Sequence, residues 1–224
     1  MIICADTGLI FSNPKPYLKS RQAFHPTLVQ LDHGELLCSY DVGEGVESLD
    51  YQTYLSRSGD GGKTWIEQGN LFDDTVNSPT SSSVRLTKLT DGSLVGSGIR
   101  FHREDPEEGI VSRETLGFVP IDLFTITSTD GGRSWTEPTN FSPPVENPAF
   151  EICHSIVELP DGTWLLPTAT AKGWDGSLPA GQQSLVFISK DLGASWDSFG
   201  VTFEQPDTVY WEQSLIRLDD DRLM

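Results

Sequence analysis

The chain has 224 residues and a mass of 24.7 kDa, enough for a substantial buried core, and its formal charge of −18 gives a sequence pI near 4.4. An average field of that sign repels nucleic acid and acidic membrane surfaces, so neither is expected as a partner. Three cysteines, Cys4, Cys38 and Cys153, are an odd number without metal-type spacing, which argues against a disulfide framework and a zinc site; no metal and no cofactor is expected.

The N-terminal stretch Met1 to Asp6 is apolar but too short for the h-region of a signal peptide, and no basic residues precede it. If Met1 is the true start, the protein is expected in the cytoplasm; secretion stays open if a leader has been clipped. No stretch approaches the length of a membrane span. Strand signals then follow at short intervals, with 21 glycines and 14 prolines between apolar runs and no amphipathic helix of convincing length.

The first unit runs as strand Thr27–Leu31, turn Asp32–Gly34, strand Glu35–Tyr40, a loop from Asp41 to Asp50 and strand Tyr51–Ser56. A motif, Ser58-Gly59-Asp60-Gly61-Gly62-Lys63-Thr64-Trp65, then turns into a fourth strand starting at Trp65. The second unit repeats the pattern with Val84–Leu89, the turn Asp91-Gly92, Ser93–Ile99, a long loop from Arg100 to Pro120 and Ile121–Thr127. Its motif is Ser128-Thr129-Asp130-Gly131-Gly132-Arg133-Ser134-Trp135. The third has Ile152–Leu159, the turn Asp161-Gly162, Thr163–Ala169, a loop from Thr170 to Gln182 and Gln183–Ser189, closing on Ser189-Lys190-Asp191-Leu192-Gly193-Ala194-Ser195-Trp196. A fourth opens with Glu212–Leu218 and turns at Asp219-Asp220-Asp221.

All three motifs read S-x-D-x-G-x-x-W, 70 and then 61 residues apart. Ser and Asp oxygens can accept bonds from nearby backbone N–H groups while Gly takes a positive φ, so each suits a tight hairpin turn; the Trp, buried against the preceding strand, would fix the register. These residues resemble the Asp boxes of sialidases and related β-propellers. That resemblance implies an all-β fold of four-stranded antiparallel blades, six in a complete ring of about 400 residues. On this reading residues 1–224 are a single sialidase-like propeller domain, incomplete at the C-terminus, of about three and a third blades. Alone, such a piece would be poorly stable, with open edge strands.

Strand direction alternates within a blade, so the tight turns and boxes lie at one end and the long loops and starts of the inner strands at the other. Loops on a rigid scaffold carry function, which makes the second end the candidate working face. Its residues are Phe24 and His25; Glu151 and His154; Glu212; the loop carboxylates Asp41, Glu44, Glu47 and Asp50; Arg100, His102 and Arg103; and Lys172, Trp174 and Asp175. Trp174 and Trp211 could stack on a sugar or pack in the core. His25 could serve a role or sit wetted by the central channel.

The resemblance reaches beyond fold at one segment. Sialidases begin an inner strand E-x-Q-V-V-x-L, whose Glu activates a tyrosine nucleophile, and Glu212-Gln213-Ser214-Leu215-Ile216-Arg217-Leu218 is similar to it. Glu212 is thereby implied as the base, and Asp50, by location, as the proton donor, with Glu47, Glu44 and Asp41 competing. Sialidases also start their first inner strand R-I-P, with that Arg clamping the substrate carboxylate. Here Phe24-His25-Pro26 keeps the Pro and lacks the Arg, and Phe cannot replace a guanidinium fork. Arg21, Arg100 and Arg103 are the nearest substitutes. The resemblance therefore implies a glycan-acting hydrolase whose substrate need not be sialic acid; the alternatives are a non-catalytic propeller that binds carbohydrate or protein, and a glycosidase using His25 or His154. A carbohydrate is the expected partner, and oligomeric state stays open.

Overall fold

The structure is a computed structural model that describes residues 7–72, 80–103, 105–205, 207–218 and 222–224. Cys4 and the expected turn Asp219-Asp220-Asp221 lie outside the described residues. Among the described residues there is no α-helix, and so no helix long and apolar enough to cross a membrane.

Three antiparallel sheets follow one another along the chain. In the first, β1 (Gln22–Gln30), β2 (Leu36–Gly43), β3 (Gln52–Ser58) and β4 (Ile66–Asn70) pair in sequence order. The second has β5 (Thr80–Lys88), β6 (Leu94–His102), β7 (Ile121–Ser128) and β8 (Thr139–Phe141), again in order. In the third, β9 (Ala149–Glu151) and β10 (Val157–Glu158) both pair with β11 (Trp164–Ala171), which is followed by β12 (Gln183–Ser189) and β13 (Ser198–Glu204). These are the three expected blades. Of the fourth, Ile216 and Met224 exchange backbone hydrogen bonds, and the Leu218 N–H donates to the Arg222 carbonyl, as the start of a hairpin.

Middle strands have a blade face on either side, so they are buried along nearly their whole length. All eight residues of β11 are buried, while the outer β13 is exposed at six of seven positions. Leu37, Val84, Leu94, Phe124 and Ile126 fill the seam between the first two blades. Ile99, Phe150, Trp164, Leu166, Phe187 and Trp196 help fill the next. Each such large side chain, fully buried, contributes about 1.5–3 kcal/mol of transfer free energy. Gly98 shows how tight the fit is, since a Cβ there would lie 2.2 Å from Phe124 Cζ on the neighbouring strand.

The three repeated turns share one hydrogen-bond pattern. In the second, Ser128 Oγ donates to Asp130 Oδ1 at 2.8 Å and accepts the Gly132 N–H at 2.9 Å, while Asp130 takes the Ser134 N–H at 2.9 Å and its hydroxyl at 2.6 Å. Asp60 and Asp191 repeat this with Ser58 and Thr64, and with Ser189 and Ser195. The Thr64 N–H and hydroxyl hold Asp60 down to about 2. Only Trp196 of the three motif tryptophans is fully buried; Trp65 and Trp135 are half-buried. The difference lies in their cover, because Phe141 of the preceding blade lies 5.1 Å from the Trp196 ring.

Two boundaries differ from the sequence reading in ways that shape the site. β2 extends through Asp41, which is a strand residue with no exposed surface rather than part of a loop, because its partners hold it inside. β6 likewise runs through Arg100 and His102, since both stay in register with β7 or β5.

Candidate active site

The end of the molecule opposite the repeated turns carries a cavity of about 190 Å³ where the inner strands of the blades converge. His25 enters it from β1, Ser83 and Arg85 from β5, Glu151 and Cys153 from the third blade, and Trp211 and Glu212 from the segment that follows β13. A second cavity of about 140 Å³, lined among others by Lys172, shares Glu151 and Trp211 with it.

Two bulges aim these side chains. On β1, Phe24 faces Asp41 and Thr27 faces Ser39, so His25 and Pro26 together oppose one residue. In the third blade, Glu151 faces Ala169 and Val157 faces Leu165, so five residues from Ile152 to Ile156 oppose three. Bulges bend a strand and redirect what it carries. His25 and Glu212 both occupy the left-handed region, with φ of 47° and 55°. That costs a non-glycine residue about 1–2 kcal/mol and persists only where the surroundings impose it.

Under His25 lies a buried polar network. Asp41 accepts the Thr53 hydroxyl at 2.6 Å on one oxygen. On the other it accepts the hydroxyls of Tyr51 at 3.0 Å and Ser83 at 2.7 Å and the Arg85 guanidinium at 2.9 Å. Burial opposes ionisation of Asp41, but the Arg85 charge, His25 nearby and the hydroxyls of Thr53 and Ser83 outweigh it and hold the carboxyl below its ordinary range. Arg85 in turn is buried but held in its charged form by Asp41. Burial, and then the Asp41 charge, push the Tyr51 phenol far above its usual range. His25 Nδ1 lies 2.6 Å from Tyr51 Oη.

Glu151 is only 5% exposed, and burial raises its pKa; the Cys153 thiol and the Glu212 N–H, which favour the carboxylate, offset this only in part. The Glu212 N–H reaches Glu151 Oε1 at 3.2 Å, so the left-handed turn at Glu212 ties the two acidic residues together at the cavity. Glu212 itself is exposed. Trp211, 52% exposed, places its ring 5.7 Å from Phe118.

The other candidates from the sequence take different positions. Asp50 does not line the cavity; exposed, it accepts the Glu44 N–H across its own loop at 3.0 Å. Arg103 is buried and donates to the carbonyls of Glu47 and Ser48 and to Ser81 Oγ, stapling two loops. Arg100 and His102 meet Asp122 at 3.5 and 2.9 Å, outside the cavity lining. Arg21 lies over the Tyr54 ring. His154 faces the Ser155 carbonyl through Nδ1, and Trp174 is half-buried against the core between the second and third blades. Lys172 Nζ donates to the Thr115 carbonyl at 3.4 Å. Glu47 lines the cavity while accepting the Ile110 N–H at 2.9 Å, and Asp175 caps a turn at Ser177. Tyr51 and Arg85 were not singled out by sequence. The signal for Arg85 was a lone charge inside an inner strand of small and apolar residues, which demands a buried partner. Among the described residues no three His, Cys, Asp or Glu side chains are grouped to hold a metal ion.

No protein-family model and no curated protein matches the chain. Solved structures do. A protein of unknown function from Dyadobacter fermentans is similar with a TM-score of 0.71 at 18% identity, over 96% of this chain and 63% of its own. The leech intramolecular trans-sialidase gives 0.70 at 12% identity, over 99% of this chain and 49% of its own. The Penicillium chrysogenum α-L-arabinanase, solved with arabinobiose, gives 0.59 at 20% identity, over 89% and 54%. The chain thus spans less than two thirds of the length of each of these structures. At such identities the likeness is one of fold, and the fold is that of blades from a sialidase-like β-propeller.

Proposed function

We propose that this chain supplies part of the working face of a glycan-acting hydrolase of the sialidase-like type, whose substrate need not be sialic acid. The observation that carries the reading is the meeting of Glu151 and Glu212 at one cavity, the first buried with its pKa raised and the second exposed. A carboxyl whose pKa burial raises suits a general acid, and a neighbouring solvent-facing carboxyl suits a base. In this scheme Glu151 gives its proton to the glycosidic oxygen as the bond to the anomeric carbon breaks. Glu212 takes the proton of the attacking hydroxyl, a tyrosine as in sialidases or a water. The similarity of fold to a trans-sialidase and an arabinanase supports a carbohydrate as the partner. No cofactor enters this chemistry.

A second reading, a non-catalytic carbohydrate-binding propeller, draws on the exposed Trp211 ring over both cavities. A panel of 4-nitrophenyl glycosides of neutral sugars, with a sialoside beside them, separates the two. Turnover of any of them supports the hydrolase, and binding without turnover supports the second reading. Glu151→Gln should slow alkyl glycosides far more than 4-nitrophenyl ones, because 4-nitrophenolate leaves with little need of a proton. Equal losses on both would remove Glu151 from the acid role.

A further inference from the structure

His25 is held in a way that specifies which of its nitrogens faces the cavity. Tyr51 has one hydroxyl proton, and its oxygen lies 3.0 Å from Asp41 Oδ2 and 2.6 Å from His25 Nδ1. The Asp41 carboxylate, ion-paired with Arg85, can only accept. The phenol proton therefore goes to Asp41, since the reverse would set two oxygen lone pairs against each other in a buried site. Tyr51 Oη must then accept from His25, which places the proton on Nδ1. In the neutral imidazole Nε2 is then left as a hydrogen-bond acceptor, on a ring that is 38% exposed and lines the cavity. The upward push on the Tyr51 phenol keeps that proton in place at every working pH.

The same network occupies the arginine of this lining. Arg85 is the arginine among the described residues that lines this cavity, and it is 3% exposed, spent on Asp41 and the Val84 carbonyl. Glu47, Glu151 and Glu212 bring the carboxyl groups of the lining. Among the described residues of this lining, a ligand carboxylate would meet acidic groups and a lone-pair acceptor, with no exposed guanidinium fork. A sugar hydroxyl would meet the fixed acceptor of the neutral His25 ring.

We infer that His25 is a specificity-determining residue whose Nε2 accepts a hydroxyl of a neutral sugar, while Asp41 ties up Arg85, the arginine that the described residues bring to this lining, so that it does not receive an acidic one. The inference rests on the hydrolase reading for its assay but on the Asp41–Tyr51–His25 chain for its content.

The test uses the neutral 4-nitrophenyl glycoside that turns over fastest, together with its monodeoxy analogues, in the full-length protein. In the wild type one hydroxyl deletion should lower kcat/KM by about 10- to 100-fold. His25→Phe should show a comparable loss on the parent glycoside and almost no further loss on that one analogue. His25→Gln, whose amide oxygen can accept in place of Nε2, should recover part of the rate, and it serves as the working variant if His25→Phe does not fold. Tyr51→Phe, which frees the tautomer, should fall between. If no glycoside turns over, the hydrolase reading fails, and the same variants and analogues are compared by calorimetric affinity, where the same coupling is expected. Deoxy losses that are equal in wild type and both His25 variants overturn the inference, as does a sialoside bound or cleaved better than every neutral glycoside.

Discussion

Arg85→Met isolates the ion pair on which the cavity floor rests. Asp41 has no exposed side chain and Arg85 is 3% exposed, so the variant leaves a carboxylate in the interior without its countercharge. Breaking a buried pair from one side costs about 3–5 kcal/mol. Asp41 keeps the hydroxyls of Tyr51, Thr53 and Ser83, which places the expected loss at the lower end, about 3 kcal/mol at neutral pH. The pH dependence should also change sign. In the wild type the folded pKa of Asp41 lies below the ordinary 3.8, so its contribution is present above about pH 4 and is lost as pH falls through the folded value. Without Arg85, burial is no longer outweighed and the folded value moves above the unfolded one. That carboxyl then favours folding below about pH 4, and its contribution is lost as pH rises through the window above it. Urea unfolding of wild type and variant between pH 3 and 8 reads both effects. A loss under about 1 kcal/mol, or pH slopes of the same sign, would mean that the pair is solvated like a surface one and that the buried network is misread.

Other outcomes follow from the same geometry. Ser128→Ala removes the acceptor for the buried Gly132 N–H and should cost about 1–3 kcal/mol in urea unfolding, whereas a neutral result would deny the hydroxyl its role in locking the turn. Gly98→Ala should destabilise by about 1–3 kcal/mol, because its new methyl meets the Phe124 ring; a fully stable variant would show that the seam can yield. Trp211→Ala should raise KM for a glycoside several-fold with kcat nearly unchanged, as loss of a stacking face does, and an unchanged KM would assign the ring to packing on Phe118.

Much of the fold was legible because its signals are local. The motif Ser-x-Asp-x-Gly-x-x-Trp carries its own hydrogen-bond partners within four residues, so the sequence alone places Asp60, Asp130 and Asp191 in equivalent turns. Alternation of strand direction then put His25, Glu151 and Glu212 at one end, where they share the cavity. Asp41, Tyr51 and Arg85 were harder. Their meaning lies in contacts between different strands and blades, Arg85 reaching Asp41 across 44 positions of sequence, and pattern within one strand does not report such pairs. Position along a loop also misdirects: Asp50 stands where the resemblance implied an acid, yet a hydrogen bond turns it to its own loop. Arg103 looked like a ligand-facing cation and is instead buried against backbone carbonyls, which only the folded loops provide.

The central proposal, that Glu212 and Glu151 do chemistry on a glycan at this cavity, is tested most directly by Glu212→Gln in the full-length protein, with rate and melting temperature measured together. The substitution keeps the backbone N–H that reaches Glu151 and the shape of the side chain, and it removes the base. A true base should cost about 10² to 10⁴ in kcat. The melting temperature should barely move, because Glu212 is exposed and only its backbone N–H is bonded to the buried Glu151. Activity that survives within a few-fold would contradict the account and leave Glu212 as a solvated turn residue.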